Sequence, residues 1–367
     1  MLSPISFLRR HYATCLLATS AIVGQVEAAT KIKGGADPSI MKYNGYYYSA
    51  GTCGSSSICV RKAAAITDLG GDAAENKYVW SDKNGLTNIW APEIMIDGGK
   101  TYIYFTGGAS DAHRMYYISK CFSVPRIPFI ILTCADSPQG TYSSETKINL
   151  PGDGPAIDGI VFTFEGQRWM VWSGWTAGGD GMQTLYICKM SSPTTATGGR
   201  YVISQPKEPW EQTVGKVNEA PTAIVDPNGQ LHIVYSANGS WSDKYCLGEI
   251  RLKKGGDPTY VWDWYKSNGC LFGSNQADMM SGWDATLSIN GPGSHTFQLD
   301  SGDVRKSPGG SNRIPFVFHG VPKGTSYSWG ARNWYTGSFV WWGSVKYHRA
   351  NVPGDNDNVG YGFKFFE

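Results

Sequence analysis

The sequence is short of charge: Asp, Glu, Lys and Arg together make 17% of its 367 residues, against about 25% in an ordinary globular domain. Leucine is scarce too, at 15 residues. Long amphipathic helices with solvated charged faces need both, so a helical bundle or coiled coil is excluded. The 32 basic and 30 acidic residues are interspersed, with no basic block and a formal charge of +2. That balance offers nothing to nucleic acid or an anionic membrane and suits a neutral, hydroxyl-rich ligand. Zinc-like C-x-x-C spacing with nearby histidines is also missing, so no metal cluster is expected. What is abundant is glycine (46), tyrosine (21) and tryptophan (14), the composition of turns and strands. A hydrophobic content of 41% can bury enough surface to offset chain entropy, which excludes disorder.

Residues 1–28 read as a secretory signal: Arg9, Arg10 and His11 precede an uncharged run over 12–24, and Ala28 and Ala29 supply small residues at the cut. The run is too short to span a bilayer. A buried first helix is the competing reading. The mature chain is expected to begin near Ala29, to be secreted, and to keep seven cysteines, at 53, 59, 121, 134, 188, 246 and 270. An odd number leaves at least one thiol free or intermolecular. Cys53 and Cys59 flank a small flexible loop, where a local disulfide is expected.

A short pattern recurs: a polar residue, a turn glycine, then an alternating aromatic and aliphatic strand. It occurs at Asn44-Gly45-Tyr46, Gly98-Gly99-Lys100, Glu165-Gly166-Gln167 and Asn228-Gly229-Gln230, and more loosely with Ser301-Gly302 as the turn and 314–318 as the returning strand. Each is a hairpin signal, because a turn ending in glycine permits the positive φ that matches strand twist. Spacings of 54, 67, 63 and 73 residues between the turn glycines fit four-stranded units with generous loops. The expected fold is therefore all-β, a five-bladed β-propeller formed by residues 29–367 as one domain. A β-sandwich with aromatic hairpins is the alternative.

Upstream of each turn glycine stands an ionisable or metal-capable residue. Asp37 lies 8 before Gly45, Glu93 6 before Gly99, Asp158 8 before Gly166, Glu219 10 before Gly229 and His295 7 before Gly302. If these strands are innermost, the five side chains converge on one end of a central channel. Their neighbours, as in Ala36-Asp37-Pro38, Ile157-Asp158-Gly159 and Asn218-Glu219-Ala220-Pro221, are apolar or backbone-restricting rather than those of a solvated face. For any one acid, a capped turn or an ion pair between blades is an equally good account. Three in phase on different blades favour a site.

The motifs Asp37-Pro38-Ser39-Ile40, Trp90-Ala91-Pro92-Glu93, Ile157-Asp158-Gly159, Val217-Asn218-Glu219-Ala220-Pro221 and Gly291-Pro292-Gly293 with His295 and Phe297 run in order over residues 35 to about 320. In this the chain resembles glycoside hydrolase family 43, five-bladed propeller enzymes acting on arabinan and xylan side chains. The runs 185–190 and 245–248 are similar to its exo-acting α-L-arabinofuranosidases. The resemblance implies an inverting hydrolysis with Asp37 as general base, Glu219 as general acid and Asp158 as the third carboxylate, which orients the acid and raises its pKa. It implies a role in the substrate site for Glu93 and Trp90, contact of Arg332 with the third carboxylate, and His295 beside a calcium ion that would be structural rather than required. A buried structural histidine is the other reading of His295. Trp90, Trp172 and Trp175 are candidates to stack on the sugar, although blade packing competes for each.

Two stretches depart from the pattern. Residues 121–134 interpose an apolar, proline-punctuated insertion, either a translated intron or a loop closed by a Cys121–Cys134 bridge. The tail 339–367 lacks a clear closing strand, which leaves ring closure open. Asn238-Gly239-Ser240 is a glycosylation sequon expected on an exposed loop. The 47 residues after 320 leave no room for the extra β-sandwich of many xylosidase-like members, which favours arabinose. The expected function is removal of α-L-arabinofuranosyl residues from arabinan or arabinose-decorated plant polysaccharide by a monomeric, secreted enzyme with no nucleic-acid or membrane partner. An endo-arabinanase, a β-xylosidase and a non-catalytic sugar-binding propeller are the rivals.

Overall fold

A computed structural model describes residues 29–109, 112–120, 137–175, 181–283, 287–297, 313–349 and 356–367. Its regular structure is strand, interrupted only by short 3-10 turns. After β1 (Lys31–Gly34) come three four-stranded antiparallel sheets. They are β2 (Ser39–Tyr43), β3 (Tyr46–Cys53), β4 (Ser57–Ala63) and β5 (Glu75–Ser81); then β6 (Trp90–Asp97), β7 (Lys100–Gly107), β8 (Arg114–Lys120) and β9 (Thr146–Lys147); then β10 (Ala156–Phe164), β11 (Gln167–Trp175), β12 (Gln183–Ser192) and β13 (Thr195–Ser204). A nine-stranded sheet follows, in the order β14 (Asn218–Val225), β15 (Leu231–Ala237), β16 (Cys246–Leu252), β17 (Trp264–Lys266), then β20 (Asn333–Arg349), β19 (Ile314–Pro322), β18 (Ile289–Phe297). Both β1 and β21 (Asn356–Phe366) pair with β20.

The hairpin signals fold as their residues dictate in three cases. Asn44-Gly45, Gly98-Gly99 and Glu165-Gly166 all carry positive φ at both positions, the twist that continues a right-handed strand pair. The fourth differs. Between β14 and β15 the loop spans 226–230, because the Asp226 carboxylate accepts the N–H groups of Asn228 and Gln230 and so builds a wider turn. In the fifth unit the returning strand is β19, while Ser301-Gly302 lies outside the described residues, as do the signal segment 1–28 and the insertion 121–134.

The tail is a correction. Residues 339–367 supply most of a hairpin, β20 with β21, and the 17-residue β20 also receives β1, β17 and β19. The first strands make a ring: β2 lies against β6, β6 against β10, β10 against β14, β14 against β18, and β18 against β2. Among the described residues, apolar clusters lie between neighbouring sheets and within the nine-stranded one. One holds Tyr48 with Ile94 and Ile103, the next Tyr104 with Trp172, the third Ile187 with Ile233, the fourth Val234 with Phe316, and the last Ile40 with Val317 and Trp334. Each fully buried aliphatic or phenyl group contributes roughly 1.5–3 kcal/mol.

Every first strand has a bend within it or just before it. Asp37, Ala91, Asp158, Ala220 and Ser294 all have positive φ, between 38° and 55°, and the ladder slips beside the last four. These are β-bulges built on non-glycine residues, a conformation that costs on the order of 1 kcal/mol each and re-aims the adjoining side chains. Cys53–Cys59 is disulfide-bonded as expected, Cys246–Cys270 is a second bridge, and Cys188 is a buried free thiol.

Candidate active site

The positive-φ bends bring Asp37, Asp158 and Glu219 together on one cleft of about 480 Å³, with Trp90, Trp175 and Arg332 on its walls. Relative to the bends, though, the ionisable residues are not equivalent. Asp37 and Asp158 occupy the left-handed position itself, and Glu219 precedes it by one residue. Glu93 follows it by two and His295 by one. Counting from turn glycines had treated all five as one position.

Asp37 sits where β2 begins, with its backbone N–H donating to Nδ1 of His319 at 3.0 Å. That nitrogen is 3.5 Å from Oδ1 of Asp37. Burial alone would raise the Asp37 carboxyl, but His319, Arg332 and the Ser294 hydroxyl outweigh it and bring the pKa down to about 2. Burial also lowers the pKa of His319, and its Nδ1 already accepts the hydrogen bond of the Asp37 backbone N–H. Arg332 is therefore the positive charge that persists at neutral pH. Asp37 is a carboxylate.

Glu219 behaves in the opposite way. Burial raises it to about 7, despite hydrogen bonds from the Tyr245 hydroxyl to Oε1 at 2.9 Å and from Gln183 Nε2 to Oε2 at 3.1 Å. Asp158 is raised well above the usual carboxylate range, by burial first and by the charge of Glu219 next, while its Oδ2 accepts the backbone N–H of Ala220 at 3.0 Å. Two buried carboxyl groups this close cannot both ionise readily, so the pair retains a proton near neutral pH. One carboxylate and one proton-holding pair face the same cleft.

The other expected site residues fall in different places. Trp90 is exposed to the cleft and packs on His113 with ring centroids 4.3 Å apart. Trp175 lines the cleft as expected. Trp172 does not: it is 1% exposed, stacked on Tyr186 in the core between two sheets, because strand alternation turns it away from the face that Trp175 shows. Glu93 lines a separate inner cavity with Thr222 and Thr296. Burial raises its pKa to about 8, against the Ser39 hydrogen bond and with the charge of Asp37 adding to the rise. The charge of Arg332 bears on Asp37 and Glu219, and its Nε donates to the carbonyl of Trp329.

His295 is buried, neither ring nitrogen has a partner, and burial lowers its pKa to about 3. Among the described residues no three His, Cys, Asp or Glu side chains come together as metal ligands. The two orphan nitrogens fit ordered water, free or around an ion. Asn238 corrects the sequon expectation: it is fully buried, with its amide bonded to the carbonyls of Trp210 and Lys244.

Sequence reasoning missed Tyr245, Gln183 and His319, which hold the carboxyl groups, and the cleft aromatics Trp241 and Trp329. Tyr245 had a faint signal, since it opens the run 245–248. The others had none, because they reach the site from second and third strands and from loops.

The family model described as glycosyl hydrolases family 43 matches residues 32–302. The chain belongs to that family. Within reach of it are two proteins named extracellular exo-alpha-(1->5)-L-arabinofuranosidase. One, from Streptomyces avermitilis, is 31% identical over 66% of this chain and 49% of its own length. The other, from Streptomyces chartreusis, is 28% identical over 77% of this chain and 83% of its own. The chain thus spans about half the length of the first of these relatives. The fold is shared with the alpha-L-arabinofuranosidase from Lactobacillus brevis, with a TM-score of 0.69 at 22% identity over 92% of this chain and 98% of that one. No helix among the described residues is long and apolar enough to cross a membrane.

Proposed function

We propose that the protein is a secreted α-L-arabinofuranosidase that removes terminal arabinofuranosyl residues from arabinan or arabinose-decorated polysaccharide with inversion, on a five-bladed propeller. The observation that carries this reading is the electrostatic division of the cleft. Asp37 is ionised down to a pKa of about 2, while Glu219 titrates at about 7. Inverting hydrolysis needs such a division, with its base and acid typically about 6.5–9.5 Å apart. The ring of first strands, with apolar clusters between neighbouring sheets and within the nine-stranded one, supports the five-bladed arrangement.

In this mechanism Asp37 takes a proton from a water molecule, whose oxygen attacks the anomeric carbon. The bond from that carbon to the leaving oxygen breaks, and Glu219 gives its proton to that oxygen. Asp158 is held beside the acid by Ala220 and shares with Glu219 the proton that the pair retains near neutral pH. The Tyr245 hydroxyl can donate to Glu219 or accept from it, so the proton can rest on Oε1 until substrate arrives. His319 and Arg332 help to keep Asp37 ionised, and Trp90 and Trp175 offer ring faces to the sugar. The relatives named extracellular, and those named for arabinofuranosides, support the location and the sugar.

The test is release of 4-nitrophenol from the α-L-arabinofuranoside against the β-D-xyloside, with linear arabinan alongside and the first-formed anomer read by NMR. Faster cleavage of the arabinofuranoside, with the β-anomer appearing first, is expected. Preference for the xyloside would move the reading to a xylosidase, and rapid fall in arabinan viscosity to an endo-enzyme. Sugar binding with no hydrolysis would leave a lectin.

A further inference from the structure

We propose that Trp241 is the platform for the leaving-group side of the substrate, and that Asn238, the sequon asparagine, positions it. This rests on the hydrolase reading above. Residues 238–245 join β15 to β16, and Trp241 within them is half-exposed on the cleft wall. Its indole lies directly over two glycines. A Cβ on Gly239 would sit 2.4 Å from the ring and one on Gly215 3.0 Å from it, so a side chain at Gly239 would displace the ring and one at Gly215 would crowd it.

The segment beneath the ring is fixed at several points. Asn238, in the left-handed region at φ 69°, donates from Nδ2 to the carbonyls of Trp210 (2.7 Å) and Lys244 (3.2 Å). Its Oδ1 accepts the N–H of Val214 at 3.2 Å. The Gly239 N–H reaches the Val214 carbonyl, the Tyr327 hydroxyl lies 3.4 Å from the Ser240 carbonyl, and Ser274 Oγ donates to the Asp243 carbonyl at 2.9 Å. A ring held this firmly loses little freedom when it binds, the condition under which stacking turns into affinity.

Position decides which sugar it meets. The segment that carries Trp241 ends at Tyr245, whose hydroxyl bonds Glu219. The group that donates a proton stands on the leaving-oxygen side of the broken bond, so a platform on the same segment faces the sugar beyond that bond. A flat, rigid ring pairs with the apolar C–H face of a furanose or pyranose. The same burial that fixes Asn238 keeps its amide from carrying a glycan.

The experiment compares arabinotriose with methyl α-L-arabinofuranoside, which has almost nothing on the leaving side. For Trp241→Ala, kcat/KM on arabinotriose relative to the methyl glycoside should fall about tenfold, through KM rather than kcat, and Trp241→Phe should restore most of it. Asn238→Asp should move the ratio in the same direction, with KM again carrying the change. Equal losses on both substrates, or an unchanged ratio in an active protein, would overturn the inference alone. Wild-type protein that releases no arabinose from either would overturn the hydrolase reading and this inference with it.

Discussion

The backbone N–H of Ala220 donates to Oδ2 of Asp158 at 3.0 Å, tying the bulge that carries one carboxyl to the residue after another, Glu219. Both residues of the bond have positive φ. The strain of two bulges is thus spent on bringing two carboxyl groups from neighbouring units into one proton-sharing pair. Asp37, from a third unit, stays ionised because His319 first, then the charge of Arg332 and the Ser294 hydroxyl, outweigh its burial.

That division predicts different responses to leaving-group chemistry. Glu219→Gln should lower kcat on arabino-oligosaccharides by roughly 10²–10⁴, the usual worth of a general acid. It should lower kcat much less on 4-nitrophenyl arabinofuranoside, whose leaving group departs without a proton. Asp37→Asn should depress both substrates alike, since both need an activated water. Steady-state kinetics on the two substrates checks this, and equal losses for Glu219→Gln on both would remove it from the acid's role.

Tyr245→Phe should move the alkaline limb of the kcat/KM profile upward. The hydroxyl hydrogen bond favours the ionised form of Glu219, so deleting it raises the carboxyl above its value of about 7. The acid then keeps its proton to higher pH. A limb that stays in place or moves to lower pH would show that another group controls it.

Much of this was legible in the sequence, and the limits have physical causes. Asn44-Gly45 and Glu165-Gly166 announced their hairpins because type I′ geometry needs residues that tolerate positive φ. Asp226 widened its turn through side-chain bonds that no pattern of glycines reveals. The bulges were hidden because Ala91 and Ala220, which carry no left-handed preference, occupy them. Register counted from the turns therefore grouped Glu93 and His295 with the acids of the cleft. The tail looked strandless because its glycines and asparagines mask the alternation that pairs β21 with β20.

Two of the three tryptophans given the same role from sequence should separate on mutation. Trp172→Ala removes a ring buried against Tyr186 and should cost about 3–5 kcal/mol of stability, seen as a lower denaturant midpoint. Trp90→Ala, at the cleft, should leave that midpoint nearly unchanged and weaken kcat/KM by about tenfold, the loss of one stacked ring. Reversed outcomes would return Trp172 to the substrate.

The tail hairpin is joined to the rest through a buried charge network, which predicts a pH dependence of stability distinct from that of activity. His232 is fully buried with Nε2 3.1 Å from Asp226 and Nδ1 bonded to Glu249, whose other oxygen accepts the Tyr347 hydroxyl of β20 at 2.7 Å. Burial alone would lower the imidazole pKa, but Glu249 and Asp226 outweigh it and raise it. Asp226 is held below its usual range, burial being outweighed by His232 and two backbone N–H groups. A raised histidine contributes stability that is full below about pH 6.5 and lost as pH climbs through its folded value. A depressed aspartate contributes above about pH 3.9 and is lost as pH falls through its own. Melting temperature should therefore decline on the alkaline side as His232 loses its proton. His232→Gln should be destabilised at pH 6 by about 3–5 kcal/mol, the cost of leaving buried carboxylates without their cation. Its melting temperature should also vary less between pH 6 and 9. A variant that melts with the wild-type slope over that range would show that the imidazolium is not what holds the hairpin.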